Sequence, residues 1–185
     1  MTKIVVVDNH GQFTHLEQRA LRDLGIETDL VDNETPPSAV DADGIVLSGG
    51  PDMEQIGESP AYLEADVPVL GICLGMQLMA TELPGGSVGS GDYGGYADVS
   101  VDIIDEDDPL VGSLAPKTRV WASHADEVTS VPDGFERTAT SDVCEIEAMS
   151  NREKDLYGVQ WHPEVAHTER GEEVLQNFLE ICTSP

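Results

Sequence analysis

The chain has 185 residues, 36 of them acidic and nine basic, giving a formal net charge of −27. Lysine is confined to Lys3, Lys117 and Lys154, a balance that argues against direct binding to nucleic acid or to an anionic membrane. The acids are spread along the whole chain, so the folded surface is dense in carboxylates and suited to concentrated salt, where their repulsion is screened. Cys73, Cys144 and Cys182 are an odd set with no close pair, which suggests no disulfide framework and fits a reducing cytoplasm. No apolar run reaches membrane-spanning length, and the N-terminus meets Asp8 too soon for a signal peptide. The length suits one α/β domain over residues 1–185 with a sizeable core.

Residues 4–7, a short β-branched run, predict a central parallel strand followed by a loop over 8–12. Thr14 is placed to cap a helix in which Leu16, Ala20, Leu21 and Leu24 share a face and Gly25 closes it. A second strand is expected over 26–31, a break at Pro36 and Pro37, and one helical turn over 38–42. Residues 44–47 read as a third strand ending in Ser48-Gly49-Gly50-Pro51, and residues 62–64 as a short helix. The apolar run 67–72 reads as a buried fourth strand, 74–82 as a helix, and Pro84-Gly85-Gly86 as its stop. Such alternation of strand and helix marks a parallel sheet covered on both faces.

The second half changes character. Residues 97–104 alternate, with Val99, Val101 and Ile103 on one face, as in a half-exposed antiparallel strand. Short strands are predicted over 119–122, 137–141, 145–149 and 156–160, turns over 105–108 and 151–155, and a closing helix over 172–181. The predicted fold is α/β: an open mixed sheet, mostly parallel, flanked by helices and antiparallel in its second half.

Cys73 sits between the fourth strand and its helix, with Gly71 and Gly75 two residues to either side. That is the layout of a nucleophile elbow with Cys in place of Ser. Small neighbours let the chain turn sharply, and the helix N-terminus directs partial positive charge at the sulfur. A cysteine nucleophile needs a base and a group that orients the base. Gln160-Trp161-His162-Pro163-Glu164, just after the last strand, offers His162 as the base and Glu164 as the orienting carboxylate. The glycines of Ser48-Gly49-Gly50-Pro51 allow close approach of backbone amides. The Gly50 and Leu74 amides are the candidate oxyanion donors. No P-loop pattern and no His/Cys cluster at metal-ligand spacing is present.

Three motifs in this order, Ser48-Gly49-Gly50-Pro51, Gly71-Ile72-Cys73-Leu74-Gly75-Met76-Gln77 and His162-Pro163-Glu164, resemble the class I (triad) glutamine amidotransferases over nearly the whole chain. The resemblance implies a flavodoxin-like sheet and hydrolysis of the glutamine side-chain amide through a γ-glutamyl thioester, with the ammonia passed to a synthetase. Finer features resemble the glutaminase subunits of archaeal-type GMP synthases. These are residues 8–12, 121–128, 144–149 and 157–168. That branch implies a separate ATP pyrophosphatase polypeptide, which converts XMP to GMP and carries the ATP and Mg²⁺, with no cofactor or metal in this chain. Carried over by position, Cys73, His162 and Glu164 match the triad, Gly50 and Leu74 the oxyanion donors, Gln77 a glutamine contact, and Ser123 and His124 the segment that holds the substrate's α-carboxylate and amine. Trp161 stands where the family usually has Phe, and Glu145 where it usually has Pro.

Other readings remain open at this stage: an amidotransferase serving anthranilate, aminodeoxychorismate or carbamoyl phosphate synthesis, a stand-alone γ-glutamyl hydrolase, or a silent regulatory module. Residues 123–128 and 165–171 favour the GMP synthase branch, and the complete Cys/His/Glu set argues against silence.

Overall fold

A computed structural model describes residues 1–184, the side chains of residues 92–97 excepted. The strands are β1 (Lys3–Asp8), β2 (Glu27–Asp32), β3 (Gly44–Leu47), β4 (Val69–Ile72), β5 (Ser87–Ile103), β6 (Lys117–Ser130), β7 (Glu136–Thr140), β8 (Ala148–Asn151) and β9 (Leu156–Val159). The α-helices are α1 (Thr14–Asp23), α2 (Leu74–Glu82) and α3 (Gly171–Thr183). Short stretches of tighter helix occur at Pro37–Ala39 and Ser59–Glu64, near the short helical pieces predicted over 38–42 and 62–64.

The nine strands form one sheet in the order β2-β1-β3-β4-β9-β8-β7-β5-β6. From β2 to β9 every pairing is parallel, and from β9 to β6 every pairing is antiparallel. The apolar run of β1 is buried on both faces because each face has its own cover. Ile4 and Val6 pack with Leu21 of α1 and Phe178 of α3. Val5 and Val7 pack on the opposite side with Met76 and Met79 of α2 and with Tyr62. Each such side chain taken out of water stabilises the fold by about 1.5–3 kcal/mol before entropy is set against it.

Helix α2 is not amphipathic. Leu74 through Ala80 are all buried, since the helix is enclosed by β3, β4 and β9 on one side and by β5 and β6 on another. Its one polar member in that run, Gln77, therefore lies inside the protein at 5% exposure.

Four local expectations are corrected. Thr14 is the first residue of α1 rather than its cap. Phe13 holds the cap position, and the Thr14 hydroxyl donates to the Gly11 carbonyl and to Ser48 Oγ instead. Strand β6 extends well past 119–122 to Ser130, and β5 begins at Ser87 rather than at 97, a residue whose side chain lies outside those described. The two form a long antiparallel ribbon with a register shift between Ser90 and Gly95. One side of the ribbon is exposed and polar, with Lys117 and Arg119 paired to Asp102 and Asp98, so the apolar pattern alone underestimates its length. Residues 145–147 are not strand: the Ser141 hydroxyl accepts from the amides of Val143 and Cys144 and folds the chain into a loop, so β8 starts at Ala148.

Candidate active site

Cys73 joins β4 to α2 with φ 54° and ψ −105°, a backbone conformation that a non-glycine residue adopts only when its surroundings enforce it. The enforcement is visible on both sides. The Cys73 amide donates to the Val159 carbonyl at 2.8 Å, and its carbonyl accepts from the Gln77 amide at 3.0 Å. A Cβ on Gly71 would come within 2.5 Å of the Gly75 carbonyl, and one on Gly75 would strike the Leu47 carbonyl oxygen. Only glycine at both places allows the turn to be this tight.

Strands β4 and β9 are parallel neighbours with Ile72 opposite Val159, so the residues that follow each strand meet at one end of the sheet. There the Gln160 side-chain amide donates to Cys73 Sγ at 3.5 Å, and the thiol lies 3.6 Å from the Ser123 carbonyl. His162 follows two residues later and is 6% exposed. Its Nδ1 is 2.6 Å from Glu164 Oε1, its amide donates to the Trp121 carbonyl at 3.1 Å, and its carbonyl accepts from the Thr168 hydroxyl at 2.6 Å. Phe13 meets the imidazole edge-on at 5.4 Å, and Trp121 lies at 5.7 Å, so the ring has little freedom to turn. Burial opposes the imidazolium form. Hydrogen bonds to Cys73 and Glu164, together with their charges, outweigh burial and hold His162 well above the usual histidine range. With Nδ1 committed to Glu164, Nε2 is the ring nitrogen left to exchange a proton with Cys73.

The Gly49–Gly50 loop lies directly against this pair. A Cβ on Gly49 would stand 3.3 Å from His162 Cε1 and 3.7 Å from Cys73 Cβ, and one on Gly50 would stand 2.7 Å from Leu74 Cδ2. A buried polar network fixes the loop from below. The Asn9 amide donates to Ser48 Oγ at 2.8 Å, its side chain donates to the Ser48 carbonyl at 3.1 Å, and Ser59 donates to Asn9 Oδ1 at 2.6 Å. Gly50 and Leu74 are thus neighbours beside the sulfur.

Cys73 borders two cavities. The larger, about 400 Å³, runs under His10–Thr14 and Glu17, and the smaller, about 190 Å³, runs between Gly50, Leu74, Gln77 and Met53. Ser123 and His124 line both. Gln77 also has a second contact: its side-chain amide donates to the Asp126 carbonyl at 2.9 Å and to Gln160 Oε1 at 3.3 Å, tying the 123–126 wall to α2. All eight residues singled out from the sequence therefore lie in or against one site.

Two further residues of the site escape a reading of the sequence. Gln160 reaches the sulfur itself. Glu17, on α1, is 1% exposed and lines the larger cavity, held by the Gly49 backbone amide. An acid on the buried face of an amphipathic helix, one turn after Phe13, is the available signal for Glu17.

A family model for class-I glutamine amidotransferases matches residues 5–182, and the chain belongs to that family. Among its relatives are two proteins of halophilic archaea that bear the name of a glutamine-hydrolyzing GMP synthase subunit. That of Natronomonas pharaonis is 77% identical over 98% of each chain. That of Haloarcula marismortui is 74% identical over 98% of this chain and 96% of the other. A crystal structure described as a putative GMP synthase subunit from Thermoplasma acidophilum superimposes with a TM-score of 0.92 at 36% identity, covering 98% of this chain and 94% of that one.

Proposed function

We propose that this chain is the glutamine-hydrolysing subunit of a two-subunit GMP synthase, working in the cytoplasm. The observation that carries the chemistry is that Cys73, at its strained elbow, and an imidazole anchored by Glu164 line the same cavity. High identity to GMP synthase subunits over nearly their full length supports the choice within the family.

In this reading the Cys73 thiolate attacks the side-chain amide carbon of glutamine. The oxygen that gains charge is met by the Gly50 and Leu74 amides. His162 gives its proton to the departing nitrogen, ammonia leaves, and a γ-glutamyl thioester remains. His162 then takes a proton from the water that attacks this thioester, which releases glutamate and restores the thiolate beside the protonated ring. Glu164 holds the ring and balances its positive charge in both steps. Ser123, His124 and Gln77 form the wall that receives the amino-acid end of the substrate. The ammonia goes to an ATP pyrophosphatase subunit, which uses ATP and Mg²⁺ to convert XMP to GMP.

The test is glutaminase rate at molar salt, with and without separately produced pyrophosphatase subunit, XMP, ATP and Mg²⁺. Slow hydrolysis alone and stimulation by the loaded partner are expected. Full activity without any partner would make the chain a stand-alone hydrolase. Stimulation by a different synthetase would move it to another branch of the family.

A further inference from the structure

Beside the wall of the glutamine cavity, three side chains from two stretches of sequence converge. His124 stands on β6, and Cys144 and Glu147 lie between β7 and β8. One donor atom from each lies within 4.8 Å of the other two. Glu147 is wholly buried, and neither of its carboxylate oxygens has a hydrogen-bond partner among the described residues; the Ser141 hydroxyl beside it is turned to the Cys144 carbonyl. Glu127 of β6 brings a second carboxyl against the Cys144 thiol, and its buried Oε2 is likewise without a partner. Among the described residues no lysine or arginine pairs with either acid.

A wholly buried carboxyl without a counter-charge is costly, and such a group holds either a proton or a cation. The other members of the cluster favour the cation. His124 directs Nδ1 at the Asp126 carbonyl, 2.9 Å away, which leaves Nε2 as a lone-pair donor, the arrangement usual in metal-bound histidine.

We propose that His124, Cys144 and Glu147 bind a thiophilic divalent cation of the zinc type. One nitrogen, one sulfur and one carboxylate oxygen fill three positions of a tetrahedral site and leave the fourth to water. Metal–ligand bonds of about 2.0–2.3 Å place tetrahedral ligands within about 3.8 Å of one another, so no gap within the cluster has to close by more than about 1 Å. Binding expels the Cys144 proton. The ion pins the 123–127 wall of the cavity to the loop between β7 and β8. Sequence spacing conceals the site because its ligands come from two distant stretches of the chain.

The test uses the full chain, freed of metal with a chelator and titrated with Co²⁺ at molar salt. One equivalent is expected to produce a thiolate-to-cobalt charge-transfer band that Zn²⁺ removes by displacement. Cys73→Ser should keep the band, and Cys144→Ser should abolish it. Glu147→Gln and His124→Ala should each weaken Zn²⁺ binding at least tenfold while the far-UV circular dichroism is retained. No band in the wild-type chain would overturn the proposal. So would a band lost in Cys73→Ser and kept in Cys144→Ser, which would place the metal at the nucleophile. Titrations unchanged by all three cluster variants would mean a cluster held by protons alone. None of these readings depends on glutamine hydrolysis.

Discussion

Glu17 and Glu164 bury two carboxyl groups close enough for the charge of one to act on the other, and each has an Oε2 with no hydrogen-bond partner among the described residues. Burial, and then the negative charge of Glu164, hold the Glu17 carboxyl well above its usual pKa; the positive charge of His162 and the Gly49 amide act against this. The folded chain therefore keeps a proton on Glu17 that the unfolded chain gives up near the ordinary carboxylate pKa. Above that pKa, stability falls with rising pH until the folded-state pKa is passed. Glu17→Gln mimics the protonated form. It should match the wild-type melting temperature near pH 4 and exceed it by at least about 2 °C at pH 8, where about 1 kcal/mol is worth 2–4 °C in a domain of this size. Thermal unfolding across that range is the measurement, and parallel curves for the two proteins would contradict it.

Cys73 differs from the other two thiols in its surroundings. Burial pushes Cys182 up to about 12 and raises Cys144 further, so both stay protonated near neutrality. A glutamine-like alkylating agent should label Cys73 and spare the others, as read by mass spectrometry of peptides. Cys73→Ala should abolish glutamine-dependent GMP formation by the complex and leave ammonia-dependent formation intact. Labelling at Cys182 in the native protein would count against the assignment.

His162→Ala should lower the glutaminase rate by about 10²–10⁴-fold, the usual contribution of general acid–base transfer. Glu164→Gln should cost less, since an amide can still hold the ring but no longer balances its charge. Single-turnover rates compare the two. Near-normal turnover in His162→Ala would move the proton-transfer role to His124 or His10, which line the same cavity.

Six of the nine basic residues already stand in ion pairs, among them Lys3 with Asp29, Lys117 with Asp102 and Arg170 with Glu173. Most carboxylates are left to repel one another. The screening length falls from about 10 Å at ~0.1 M salt to about 3 Å at ~1 M. The melting temperature should rise steeply across that interval. A flat dependence would assign the acidic surface another role.

In the proposed complex, Asp126 and Glu127 part company. Asp126 is exposed, whereas Glu127 turns a buried oxygen inward toward Cys144. Asp126→Lys should weaken stimulation by the partner more than basal hydrolysis. Glu127→Lys should instead disturb folding, as seen in its melting curve.

Sequence makes some of this legible and conceals the rest for identifiable reasons. Helix α2 is legible to the residue because the glycines at its start and the Pro-Gly-Gly after it are strong local signals. The meeting of Cys73 with His162 and Glu164 is legible from motif order. The ribbon β5–β6 is longer than its pattern suggests because its outer side is polar and its register shifts between Ser90 and Gly95. Glu17 and the His124 cluster are illegible because their character depends on burial and on neighbours distant in the chain. An isolated glutamate on a helix shows neither.

The β4–β9 pairing fixes when the site comes into being during synthesis. Cys73 emerges early, yet the strand that lies beside β4 is the last of the nine to be made, and His162 and Glu164 come after it. A nascent chain that has just completed β8 therefore exposes the thiol with no imidazole to act on it. Closing so distant a parallel pairing is a late event in folding as well. The reactive centre can therefore form only once β9 and the segment carrying His162 and Glu164 have been made.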